Sequence, residues 1–324
     1  MKIRRRQFLQ FAAASIVVAA PRIAWSHAYP TRPVRIVAGF APGGGVDIAA
    51  RLIGQSLSER LGQPFVIENR PGAGSNIATE SVVNAAPDGY TLLLVSAPNA
   101  INAALYEKLS FNFIRDIAPV ASIHREPHVI VVHSSVPTNT VPEFLRYAKA
   151  NPGKLNMASA GNGSTNHVTG ELFKMTTGIN LLHVPYRSAS PALIDLIAGQ
   201  VQVIFATMSS SVEYIRADKL RPLAVTSPMR SALLPDVPTV AEFVPGFEAS
   251  QWYGVAAPRN TPAGIIDKLN TEINAALADP KLKARIADLG ATPMPMTPTD
   301  FRTFIAAETD KWGKVVKFSG AKVD

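Results

Sequence analysis

Short apolar runs alternate with segments of helical period along this chain, and that alternation limits its folds more than any other feature. The runs are Val34–Phe40, Phe65–Glu68, Thr91–Val95, Val129–His133, Leu181–Val184, Val201–Phe205 and Leu223–Thr226. Several are near-continuously apolar, as strands of a parallel sheet are when buried on both faces. The helices between them have legible ends. Ser190 is expected to cap one, with Pro191 in its first turn and Gly199 as its stop. Thr261-Pro262 opens another, whose stripe runs Ile265, Ile266, Leu269, Ile273 and Leu277. Asp279-Pro280 ends that helix and starts the next, and Thr297-Pro298 starts the last. Such alternation predicts an α/β protein with parallel sheets. At roughly 150 residues per domain, 324 residues imply two cores, so two α/β lobes joined by crossover strands are expected.

The net charge is +8, which alone suggests a nucleic-acid partner. Lys2, Arg4, Arg5, Arg6 and Arg22 supply five of those charges within the first 26 residues, where no acid occurs, so the remainder carries only +3. No basic stripe interleaved with aromatics is present, and a nucleic-acid function is set aside. The basic head precedes an apolar stretch, Phe11 to Ala20, too short to span a bilayer. Small residues at Ala24, Ser26 and Ala28 permit cleavage after Ser26 or Ala28. Residues 1–28 therefore read as a signal peptide, and Arg5-Arg6-Gln7-Phe8-Leu9 resembles a twin-arginine signal. An ordinary secretory signal with a basic head is the alternative; both predict export. The chain has no cysteine, which excludes disulfides, thiolate metal sites, cysteine nucleophiles and a lipid-bearing N-terminal cysteine.

Three consecutive glycines, Gly43 to Gly45, lie where the first strand turns into a helix. Glycine is needed there for positive φ or for close approach of a ligand. The first-turn N–H groups of the helix point outward with about half a positive charge, which makes an anion site without any charged side chain. No Gly-Lys-Ser/Thr follows, and the spacing is not G-x-G-x-x-G, so a nucleotide is not expected. A second turn repeats the design: "LNMASAGNGSTNHVTGELF", from Leu155, passes through Ser159-Ala160-Gly161-Asn162-Gly163-Ser164 into a helix carrying Val168, Leu172 and Phe173. Ligands of open α/β sheets sit outside the carboxyl ends of strands. One such turn per lobe, facing a shared cleft, could hold a small dianion; a plain tight turn is the alternative.

Other candidates for chemistry are weaker. His124, His128 and His133 have ligand-like spacing, but Pro127 breaks a helix and Val129–Val132 reads as strand, so they are not expected to share a face. Ser319 and Lys322 formally match S-x-x-K without its companion motifs, and no G-x-S-x-G elbow exists. Ser164 and His167 could meet on a helix, yet nothing evident orients the imidazole. A capping serine is the plainer reading, an exported hydrolase the competing one. No catalytic residue, metal or cofactor is expected.

With those residues in view, the chain resembles the periplasmic solute-binding proteins of tripartite tricarboxylate transporters, the Bug family. "YPTRPVRIVAGFAPGGGVDIAARLI", "LGQPFVIENRPGAGSNIATESVVNAAPDGYTLLL", "HVPYRSASPALIDLIAGQVQVIF" and "GFEASQWYGVAAPRNTPAGIIDKLN" carry the likeness, which covers almost all of the mature chain. It implies a two-lobe, type II periplasmic-binding-protein-like fold with a ligand cleft between lobes and no catalysis. The expected role is to capture a small carboxylate, a di- or tricarboxylate or an aromatic acid, and deliver it to membrane permease subunits. Presenting the loaded protein to a membrane histidine kinase is the alternative role. A periplasmic monomer is expected, with one lobe of residues 29–127 plus 253–324 and the other of 128–252.

By the same resemblance, Phe40, Ala41, Pro42, Gly43 and Gly44 form the first binding loop and Asp47 is its acidic residue. Ser159, Ala160, Gly161, Gly163, Ser164 and His167 form the second. Asp47 contacts ligand or complements the helix dipole; Phe40 contacts ligand or fills the core. Tyr186 reaches the cleft or packs, and Ser96 and Asn99 stand at a strand's carboxyl edge or in a plain turn. Thr207 joins the site beside Ala206, where many relatives carry Asp; the missing carboxylate implies a ligand without an amine. Arg187-Ser188 replaces the common Lys-Gly, and Arg187 either adds positive potential to the cleft or is a solvated surface charge.

Overall fold

The computed structural model describes residues 29–323, and the expected signal peptide lies outside the described residues. The first lobe begins with β1 (Val34–Ala38), α1 (Gly45–Leu61), β2 (Phe65–Asn69), α2 (Asn76–Val83), β3 (Thr91–Ser96) and α3 (Ala97–Leu105). One turn of helix, α4 (Phe113–Asp116), leads into the 16-residue β4 (Ile117–Val132). The second lobe alternates through α5 (Val141–Ala150), β5 (Asn156–Ser159), α6 (Thr165–Thr177), β6 (Leu182–Pro185), α7 (Ala189–Ile197), β7 (Val203–Thr207), α8 (Met208–Arg216) and β8 (Arg221–Val225). The chain returns along β9 (Ser250–Pro258) and closes with α9 (Ala263–Ala278), α10 (Pro280–Asp288), β10 (Thr292–Pro293) and α11 (Pro298–Ser319).

The strands follow the order β2-β1-β3-β9-β4-β7-β5-β6, with β8 and β10 branching onto β4. β1 is parallel to β2 and β3, and β5 is parallel to β6 and β7. The central pairings β3–β9, β9–β4 and β4–β7 are antiparallel. The sheet is therefore mixed, whereas the sequence pattern predicts parallel sheets only. The difference arises at two strands that the pattern conceals. β4 begins twelve residues before Val129, because Pro119 and Pro127 lack the N–H a ladder needs and charged residues interrupt the apolar run. Pro119 is accommodated at a register shift against β9. β9 is buried along its whole length.

β4 changes partner in mid-strand. Ile117 to Pro127 pair with β9, and His128 to Val132 pair with β7. The buried Thr226 hydroxyl ties this crossing to the chain's return. It accepts the His128 N–H at 2.8 Å and donates to the Ala249 carbonyl at 2.6 Å. The expected helix starts stand at Pro262, Asp279 and Thr297, where the Asp279 and Thr297 side chains accept first-turn N–H groups. Around Ser190 the start lies earlier: Ser188 is the cap, and Ser190 and Pro191 fall in the first turn of α7.

One apolar cluster belongs to the first lobe, with Ile36, Leu57, Leu92, Val255 and Leu269. Another lies in the second, with Val129, Ala158, Leu193, Ile204 and Ala206. A third runs under both, joining Val37 and Leu93 to Phe144, Phe173 and Phe205 through Trp252 and the α11 residues Phe301 and Trp312. α11 packs on α3, β4 and α6. At 22 residues it is about 33 Å long, enough to reach from one lobe to the other.

Candidate functional site

The turn from β1 into α1 is held by one buried carboxylate. Asp47 Oδ2 accepts the Gly43 N–H and Arg51 Nε, both at 2.9 Å, and Oδ1 accepts Asn69 Nδ2 at 3.0 Å. Asn69 also donates to the Phe40 carbonyl at 3.0 Å. The Arg51 hydrogen bond, helped by those of Gly43 and Asn69, holds the Asp47 carboxyl down to about 2 against its burial. Gly43 has φ +83°, a left-handed conformation suited to glycine. Gly44 caps α1 with extended backbone and no side chain in the way.

Two stacked imidazoles hold the turn from β5 into α6. The His167 and His183 rings lie 3.8 Å apart at 10°. His167 Nδ1 accepts the Gly163 N–H at 3.1 Å. His183 Nε2 meets Ser159 Oγ at 2.7 Å, and that hydroxyl accepts the Gly161 N–H at 3.1 Å. Burial, with the charge of Lys174, lowers His167 to about 3 and His183 to about 4, and each is neutral at pH 7. Ser164 Oγ accepts the backbone N–H of His167 at 3.3 Å. That bond is a helix cap; the His167 ring engages Gly163 instead, which is not the arrangement of a nucleophile and its base.

Both turns open on one cavity of about 510 Å³, within the range of small-ligand pockets. Phe40, Gly44, Gly45 and Val46 line it from the first turn, and Ala160 and Gly163 to Asn166 from the second. The starts of α7 and α8 add Arg187, Ser188, Thr207 and Ser209, and the crossing strands add Glu126, Gln251 and Tyr253. The first turns of α1, α6, α7 and α8 thus all reach this wall, and helix N-termini favour negative charge. Leu105 of α3 leans on Gly163, whose Cβ would come within 2.1 Å of it.

Of the expected site residues, Phe40, Gly44, Ala160, Gly163, Ser164 and Thr207 line the cavity. Ala41, Pro42 and Gly43 are exposed in the same turn, off the wall. The others stand behind it with their polar groups engaged. Asp47 and His167 brace the two turns, as described, and Ser159 braces Gly161. Ser96 and Asn99 close the start of α3, Asn99 Oδ1 accepting the Ser96 N–H at 2.8 Å, while Asn99 Nδ2 reaches Thr79 at 3.0 Å. Tyr186 donates to Asp195 Oδ2 at 2.7 Å and packs in the second lobe. Gly161 has φ +115° and no room, since a Cβ would meet the Tyr186 carbonyl at 3.2 Å.

Two expectations change with the geometry. Ala206 is fully buried in the second lobe's apolar cluster and is not on the wall, so the absence of Asp there says nothing about the ligand. The cavity does hold an acid, Glu126, which the sequence reading missed. Its sequence signal is a lone carboxylate inside the Ile117–Val132 strand, visible only once the strand is traced past its prolines. Gln251 and Tyr253, at the expected boundary between the lobes, also line the cavity. Arg187 is exposed on the wall and has no ion pair among the described residues.

A family model described as the tripartite tricarboxylate transporter family receptor matches residues 49–321. Protein BugT of Bordetella pertussis is 39% identical over 313 residues, covering 96% of this chain and 95% of that one. Among solved structures, R. palustris Rpa4515 with adipate superposes with a TM-score of 0.80 at 37% identity, over 91% of this chain and 99% of that one. MatC from Rhodopseudomonas palustris with bound malate gives 0.76 at 34% identity, over 89% and 100%. The chain belongs to the tripartite tricarboxylate transporter receptor family, among the Bug proteins.

Proposed function

We propose that this protein is an exported solute-binding protein that captures a small carboxylate between its lobes and passes it to the permease of a tripartite tricarboxylate transporter. One observation carries the reading: residues of two strand-to-helix turns, one from each lobe, line a single cavity of about 510 Å³. Apart from the His167 N–H, which Ser164 caps, the first-turn N–H groups of α1 and α6 lack intrahelical acceptors and suit the oxygens of a carboxylate. Adipate and malate in the similar structures support the same ligand class. The lobes are residues 29–127 with 253–324, and 128–252, hinged where β4 leaves β9 for β7. Closure follows if ligand binds the closed arrangement better than the open one. The protein acts as a periplasmic monomer, without catalysis.

A thermal-shift screen over dicarboxylates, tricarboxylates, aromatic acids and amino acids tests this. A ligand at a hundred times its Kd stabilises by about 2.7 kcal/mol, a clear rise in Tm. Gly44→Val is the matching variant, because φ there is −84° and the nearest atom to a Cβ is 3.7 Å away. It is expected to fold normally and to lose the shift by covering the N–H groups. Gly161→Val is a poor test, since the strain described above would distort the turn itself. A screen with no shift for any carboxylate, or a Gly44→Val protein that binds like the wild type, contradicts the reading.

A further inference from the structure

The cavity wall that four helix N-termini make attractive to anions also holds a carboxylate of its own. Glu126 is 5% exposed and lies on β4 at the crossing between lobes. Its partners are neutral donors. Tyr253 OH stands 3.4 Å from Oε1, and the Ser209 hydroxyl and N–H, in the first turn of α8, both bond to it. No cation pairs with it among the described residues; its neighbour Arg125 pairs instead with Glu248 at 2.9 Å. Beside it, Gln251 Oε1 is buried with no hydrogen-bond partner. The geometry is tight, because Tyr253 OH occupies the space where a Cβ of Gly45 would be, at 2.3 Å.

We propose, on the basis of the carboxylate-binding reading above, that Glu126 makes capture of a dicarboxylate proton-linked: the ligand binds with the Glu126 carboxyl protonated, so that binding takes up a proton. A dianion entering this wall meets an ionised Glu126 as a like charge at close range and low dielectric. A protonated Glu126 removes that repulsion and offers an O–H donor to a ligand oxygen. Burial already pushes the Glu126 carboxyl up to about 7, so the proton costs little near neutrality. The groups facing it do not compete. On β4, burial lowers His124 to about 4 and His128 to about 3, leaving both neutral. On β9, burial holds the Tyr253 hydroxyl protonated, and Gln251 does not titrate. α8 contributes only Ser209, and among the described residues Arg187 is the cation on the wall.

The test is titration calorimetry of the intact mature protein with adipate and malate between about pH 6.5 and 8.5, where both carboxyls of these ligands are already ionised. Wild-type affinity should weaken with rising pH, approaching about tenfold per unit on the alkaline side. Parallel runs in buffers of different ionisation enthalpy should show proton uptake. Glu126→Gln should abolish both the slope and the uptake. Tyr253→Phe, which removes a donor to the ionised carboxylate, should move the midpoint to higher pH. Tight binding with a flat profile, proton release, or an undiminished slope in Glu126→Gln overturns the role of Glu126 and leaves carboxylate capture standing. Failure of every carboxylate to bind at any pH overturns both.

Discussion

Asp47 shows how a residue can hold a turn that lines the cavity without itself reaching the wall. Its carboxylate accepts from Gly43, Arg51 and Asn69 and so sets the path of the backbone from Phe40 to α1. Removing it strands a partly buried set of donors, and such losses cost about 1–3 kcal/mol. Asp47→Ala should lower the denaturant midpoint accordingly and weaken carboxylate binding more than tenfold; calorimetry showing unaltered affinity would exclude the bracing role. The sign of its pH dependence is fixed by the depressed carboxyl. Its contribution is complete above about 4 and fades as pH falls toward 2, so the loop stays braced at every pH where Glu126 titrates. Sequence spacing is enough to bring Asp47 into the first turn of α1. It does not reveal that the side chain folds back onto Gly43 and Asn69, because Asn69 arrives from the end of another strand.

At the scale of elements, helix starts are legible because capping is local chemistry: Asp279 and Thr297 accept N–H groups two and three residues away. β9 and the first half of β4 are not legible, because they are strands by virtue of their partners. Each fills the other's ladder through Pro119 and Pro127. The crossing they form is pinned by Thr226, which is fully buried and bonds to His128 and Ala249 at once. Thr226→Val keeps the shape and removes the hydroxyl. It should cost about 1–3 kcal/mol in the denaturant midpoint, and backbone amide exchange of His128 should accelerate. Unchanged exchange at His128 would mean that the ladder alone holds the crossing.

For the whole molecule, burial of imidazoles sets the response to acid. Burial lowers His124, His128, His167 and His183 to between about 3 and 4. The unfolded chain therefore binds more protons than the folded one from about pH 6.5 downward, and stability should fall as pH drops toward 4. Glu126, raised to about 7, binds a proton in the folded state first and opposes the trend by one proton. A denaturant midpoint that stays constant from pH 6.5 to 4 would contradict this balance. Alternation of apolar runs and helical stripes and the two glycine turns were written in the sequence, because each depends on a few neighbouring residues. The union of both lobes by α11, the sharing of one cavity by both turns and the presence of Glu126 within it were decided only by tertiary structure. Each requires segments far apart in the chain to meet, and a residue's local pattern carries no record of what packs against it.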